Sequence, residues 1–358
     1  MQLSTKPDLD EAVKRWEHYW AGDVYKRPPV VLNVRKPGKT AVPPKGHLYH
    51  FACTKDYRGY LDHIDTVIDS TDYLAESIPM FSPDHGPDQF AALCGARLQF
   101  SEGSMNTNWV EPMVDDWRTF LPNLRVNTDN ETWKSLMEFS RQLREHGKGR
   151  YIVSMCDLHS NADTLSALRN PERLCMDFYD SPERITEAMR SVRKMYPPVY
   201  NALYDAGGMK ENGTSCWIPF WHSGRYATIQ CDFICMVSPD TANEYIIPAL
   251  EEEANFLDHS IYHLDGPQAL THLDSLLAIK KLDAIQWVPG DGQAPQHEWM
   301  DVLKKVQKAG KGLQLWGSVD VIKKYHKELD PKGVVYCPHG VRDRAEADAL
   351  LTWLEQNT

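Results

Sequence analysis

From residue 260 to the C-terminus, the apolar and polar positions switch repeatedly between two periods. Four short apolar runs, SIYHLDG (260–266), AIQWVPG (284–290), LQLWGS (313–318) and VVYCPHG (334–340), read as strands with polar or metal-capable tips. The stretches PQALTHLDSLLAI, HEWMDVLKKVQKAG, DVIKKYHKELD and DRAEADALLTWLEQ alternate with them and carry the apolar spacing of amphipathic helices. Strand starts at 260, 284, 313 and 334 fall at the intervals of βα units in a parallel sheet.

Upstream, the pattern is less regular. An amphipathic helix at about 9–20 leads into VVLNV (30–34), a first strand with Arg35 and Lys36 at its end. Residues 40–60 are Pro-rich and aromatic, an ordered loop, and a helix follows at about 57–78. The segment 82–118 is dense in Gly, Asn, Trp and Pro and has little periodicity. A stretch that long inside a compact domain is functional or conceals short strands. A helix near 129–147 precedes a strand at 150–155, and GTSCWIPFWHS (213–223) supplies another at 215–220. Pro171 and Pro182 mark helix first turns, and Ser238 is an N-cap. The expectation is an α/β protein, a (β/α)8 barrel with an N-terminal helical extension, forming one domain over 1–358. One early strand is left unplaced.

Composition narrows the partners. A chain of 358 residues fits a single barrel with insertions, and its net charge of −11 argues against nucleic acid or an anionic membrane surface. No run approaches the 18 or more apolar residues of a membrane span, and the N-terminus lacks a signal-peptide core, so a cytoplasmic protein is expected. The 8 cysteines have no framework spacing and read as reduced thiols.

In βα architectures chemistry sits where strands end. His263 and Asp265, at i and i+2 on one strand, can address one point, as ligands of a divalent metal such as zinc or as a proton-transfer pair. A core hydrogen bond between them is the plainer alternative. Cys337, on the last strand, can complete a His/Asp/Cys set or be a buried thiol. Gln286 and Trp287 occupy a further strand end. His222, together with Gln230, Cys231, Asp232 and Phe233, flanks a loop that can line a pocket. Asp157, His159, Asn161 and Asp163 follow another strand. Substrate contacts are expected from His222, Cys231, Asp232, Gln286, Trp287 and His159, with Trp221, Trp287, Trp316 and Tyr262 as an aromatic wall.

With these residues in view, the chain resembles the uroporphyrinogen decarboxylase superfamily. The resemblance rests on LHSNADTLSALRNPERLCMDFYDSPERI, on CDFICMVSPDTANEYIIPAL, on the strand SIYHLDG and on the opening RWEHYWAGDVYKRPPV. It implies a (β/α)8 barrel. The arginine-rich loop of true decarboxylases is replaced here by NVRKPGK, which directs the resemblance to the corrinoid-linked methyltransferase branch. That branch implies zinc held at His263, Asp265 and Cys337, with His263 and Asp265 catalytic. It also implies a small methylated substrate and a corrinoid carried by a small partner protein. A carboxylate in place of a thiolate favours activation of the methylated substrate over thiolate activation. A decarboxylase or lyase, and a non-catalytic barrel binding a tetrapyrrole or corrinoid, are the alternatives.

Overall fold

The computed structural model describes residues 2–40, 42, 54–99 and 108–358. Most of the Pro-rich stretch at 40–60 therefore lies outside the described residues. Helix Leu9–Trp20 leads into β1 (Val31–Arg35), and after helix Tyr57–Ser70 the chain returns antiparallel along it as β2 (Thr71–Ala75). Two residues of β3 (Met80–Phe81) follow, then the antiparallel pair β4 (Leu98–Gln99) and β5 (Trp109–Val110), and β6 (Ile152–Val153) beside β3. The remaining strands are β7 (Tyr226–Ile229), β8 (His259–Asp265), β9 (Ala284–Val288), β10 (Gly312–Gly317) and β11 (Val334–Pro338). These five form one parallel sheet in sequence order, with helices between successive strands from β8 onward.

Single backbone bonds extend this sheet at both edges. Tyr336 N–H donates to Pro29 O at 3.0 Å, and Glu76 N–H to Val30 O at 3.0 Å. Ile152 and Ser154 donate to Pro79 and Phe81 at 3.0 Å each, and Met155 to Ser215 at 2.8 Å. Between this last segment and β7 the rung is a side chain, with Thr228 N–H on Cys216 Sγ at 3.2 Å.

The expected strands at 30–34, 260–265, 284–288, 313–317 and 334–338 are present within a residue or two. The run at 215–220 is not a strand. Pro219 removes a ladder donor, and the strand is YATI four residues beyond Trp221–His222, buried at every position. The buried apolar residues form one contiguous core. Gly312 sits at its closest approach, where an added Cβ would lie 2.6 Å from Tyr19 Oη and 2.8 Å from Gly333 O.

Charge is locked at the N-terminal end of the strands. Glu76, 1% exposed, accepts from Arg15 Nη1 at 2.5 Å, from Arg27 Nη1 at 2.6 Å and from Val30 N–H at 2.7 Å. Both guanidiniums are buried too, so the first helix and β1 are tied through a carboxylate with every lone-pair direction used. No helix among the described residues is long and apolar enough to cross a membrane.

Candidate active site

A cavity of about 830 Å3 opens where β3, β6, β7 and β8 end. Asp84 and Asp88 reach it from the segment after β3, Asp157 and His159 from that after β6, Gln230 and Asp232 from that after β7, and His263 from within β8. Trp109, Trp217, Phe233, Val110 and several prolines supply the apolar wall.

His159 is held between two carboxylates. Its Nε2 meets Asp157 Oδ2 at 2.9 Å and its Nδ1 faces Asp163 Oδ2 at 3.3 Å. Burial alone would depress the imidazole, but the Asp157 and Asp163 charges hold its pKa well above the ordinary value. Burial likewise works to raise Asp157, and the His159 charge and hydrogen bond win, keeping it low. Asp163 lies in the first turn of helix Asn161–Arg169 and accepts from Asp232 N–H at 3.0 Å and Phe233 N–H at 2.9 Å. It thereby ties the post-β6 helix to the post-β7 loop. Asp232 projects into the cavity, and desolvation there, then the Asp163 charge, push it up to about 6 against the pull of His159 and His263. His159, Asp163 and Asp232 each bring one ligand atom within 4.8 Å of the others.

A buried layer supports this group. Asn161, at φ +56°, donates to Gln230 O at 3.0 Å and to Glu253 Oε1 at 3.1 Å, which also accepts from Ser160 Oγ at 2.5 Å. Burial raises Glu253 to about 7. The Gln230 side-chain amide stands against both the Asp157 carboxylate, at 3.3 Å, and His159 Nε2. Asp84 accepts from Gly86 N–H at 2.9 Å and from Gln89 Nε2 at 3.1 Å. Burial, then the charge of Asp157, push it up to about 7.

His263 lines the cavity, edge-on to Trp217 at 4.9 Å. Its Nδ1 meets Gln286 Oε1 at 2.5 Å, Gln286 donates to Gln314 at 2.5 Å, and Gln314 donates to Cys337 Sγ at 3.4 Å. His263, Gln286 and Cys337 thus share one polar row across the sheet. They do not converge: β8 and β11 are three steps apart in the sheet, which at roughly 4.8 Å per strand separates their residues by roughly 14 Å. Burial pushes the Cys337 thiol up to about 12. Asp265 ends β8, exposed and off the cavity, before the turn at Gly266 (φ +78°). The described residues therefore do not gather His263, Asp265 and Cys337 as a ligand set.

Other expected contacts also lie elsewhere. His222 precedes β7 at the opposite end of the strands, 4.6 Å from the His259 ring, and burial, then His259, push it down to about 4. Trp287 is fully buried against Trp299, because it alternates with Gln286 and faces away from the polar row. Cys231 is buried beneath the cavity floor, without lining it, and Tyr262 reaches its carbonyl. Trp221 is buried and donates to Asn212 O at 3.1 Å. His159 and Asp232 are the two expected contacts on the cavity besides His263. Asp84, Asp88, Trp109 and Trp217 were not anticipated. The first three belong to the aperiodic 82–118 segment, whose very length was the signal.

No family model matches the chain, and no curated protein matches it. Among solved structures, a methyltransferase from Methanosarcina mazei has a similar fold, with a TM-score of 0.58 at 12% identity over 97% of this chain and 98% of that one.

Proposed function

We propose that this chain is a methyltransferase acting on a small methylated substrate, with a divalent metal, zinc by the family resemblance and compatible with one imidazole and two carboxylates, at the cavity floor. The observation that carries the reading is the His159, Asp163 and Asp232 group, rather than the sequence-derived His263, Asp265 and Cys337. Three protein ligands with a fourth direction open to a cavity is the arrangement of catalytic zinc. The donors fit it: with Asp157 on Nε2, His159 is oriented by a carboxylate and presents Nδ1 to Asp163. A second carboxylate behind a ligating histidine is the usual support of a metal site. Metal binding here displaces the proton that His159 otherwise carries between its two carboxylates. Fold likeness to a methyltransferase over nearly the whole chain points the same way.

When bound, the metal supplies a Lewis acid that polarises an oxygen, nitrogen or sulfur of the ligand. The protein does the rest. Asp157 fixes the His159 ring, Asp163 anchors the loop that carries Asp232, and Trp217 with His263 closes one wall of the cavity. The methyl acceptor comes from outside the chain, and a corrinoid on a small cytoplasmic partner protein is our expectation for it. We read the edge bonds of the sheet as a closed (β/α)8 barrel in one domain, carrying an N-terminal helical extension.

Metal titration tests the reading. The purified chain should bind one Zn2+ or Co2+, and His159→Ala or Asp163→Ala should abolish binding. Retained stoichiometric metal in both variants would place the site elsewhere. A second reading is favoured by one observation: His159 is held protonated while Asp84 rises to about 7 and Asp232 to about 6. Such divergent groups suit acid–base chemistry in a lyase or decarboxylase. A wild-type chain that takes up no metal would favour it.

A further inference from the structure

The lining of the cavity carries an inference about its substrate class, resting on the methyl-transfer reading above. Five carboxylates, Asp84, Asp88, Asp157, Asp163 and Asp232, face it, and among the described residues no lysine or arginine does. Only the imidazoles of His159 and His263 oppose them on the lining, so the wall is acidic before a ligand enters. A carboxylate-rich or sulfonated substrate would meet a repelling field there.

Independent of charge, the aromatic surface is unusual. The chain has 11 tryptophans, and the two that are exposed, Trp109 at 58% and Trp217 at 39%, both line this one cavity. Exposed aromatic faces over an acidic floor attract a cation through the ring quadrupole.

We infer that the cavity recognises an N-methylated ammonium, seated against Trp109 and Trp217 and neutralising Asp84 and Asp88. The methylated face lies on the indoles, where burial of methyl groups and the positive charge are rewarded together. Asp163 and Asp232 are left to the metal. The volume of about 830 Å3 accommodates both.

Calorimetry and tryptophan fluorescence on the full chain, with and without one equivalent of Zn2+, test the inference. Choline is the probe and 3,3-dimethylbutan-1-ol its neutral carbon isostere. Choline should bind at least about tenfold tighter than the isostere and quench tryptophan emission. Trp217→Leu and Asp88→Asn should each weaken choline by about tenfold, while Asp88→Asn leaves the isostere unchanged and Trp217→Phe recovers most of the affinity. Trp217 is exposed, so its loss spares the core. Equal affinity for probe and isostere, tighter binding of the anion 2-(methylthio)ethanesulfonate, or no binding of choline at millimolar concentration would each overturn the inference. The assay needs no turnover. Binding of choline with no methyl transfer from any N-methylated ammonium or neutral methyl donor would sink the methyl-transfer reading alone, and turnover of neutral donors only would sink the ammonium alone.

Discussion

Two groups of desolvated charge sit at opposite ends of the strands and are settled in opposite ways. At the N-terminal end, one carboxylate, Glu76, is enclosed by two guanidiniums and a backbone N–H, with short bonds that satisfy both of its oxygens. At the C-terminal end, five carboxylates face one cavity with a single imidazole placed between two of them. The first arrangement is complete without a ligand. The second is complete only when something positive is added. Structure and function are thus built from the same chemistry, and whether the charges close on themselves separates the two.

The largest expected effect breaks the closed group. Glu76→Ala leaves the buried Arg15 and Arg27 with only the longer, half-exposed pairs to Glu11 (3.5 Å) and Glu355 (3.8 Å), and urea denaturation should show a loss of about 3–5 kcal/mol. A smaller loss would mean that the guanidiniums find water.

The open group should respond with the opposite sign. The Asp84 value of about 7 lies above the roughly 3.9 of an unfolded aspartate, so the unfolded chain releases this proton first as pH rises. Stability should therefore fall between about pH 4 and pH 7. Asp84→Asn keeps the bonds to Gly86 and Gln89 and removes the titration. In metal-free protein it should raise stability by about 2–4 kcal/mol at pH 8 and leave it unchanged at pH 4. Denaturation curves at the two pH values decide this, and a destabilised variant at pH 8 would contradict the unbalanced floor.

Asp232 sharpens the contrast, because its side chain is exposed to the cavity and makes no hydrogen bond that the fold needs. By the linkage that governs Asp84, Asp232→Asn should raise the stability of metal-free protein at pH 8, by less than Asp84→Asn does, while weakening Co2+ binding by about 10–100-fold, read by titration. Last, Gln286→Leu interrupts the polar row between His263 and Gln314. It should cost about 1–2 kcal/mol and broaden the His263 ring signals in NMR, without altering metal stoichiometry.

How far the sequence disclosed this is uneven for physical reasons. The strands from His259 onward were legible because each is a short apolar run cut off by a turn and followed by a helix of clear period. Tyr226–Ile229 was missed because the apolar run before it, WIPFW, is the stronger signal, and nothing local reports that Pro219 keeps that run out of the ladder. His263 and Gln286 were both legible as strand-end residues, and the structure sets them against each other with His263 on the cavity. That Cys337 stands apart from His263 was not legible, since which strand tips meet depends on sheet order, and Gln286 and Gln314 stand between them. His159 and Asp163 are four residues apart, but Asp232 joins them across 69 residues of chain through backbone bonds that no periodicity encodes. Asp84 and Asp88 lie in a segment with no pattern at all, which is where a binding loop is free to hide.

The bridge between Val30 and Tyr336 has a consequence for how the chain is made. Its halves lie about three hundred residues apart along the chain, so on a ribosome adding about 5–20 residues per second the first strand waits roughly 15–60 s for its partner. An open strand edge held that long invites association with other nascent chains. β2 emerges only some forty residues after β1 and pairs with it antiparallel along all five residues, covering one edge early. The pairing of β1 with β2 thus halves the exposed edge, leaving the side toward β11 to be covered when that strand is made.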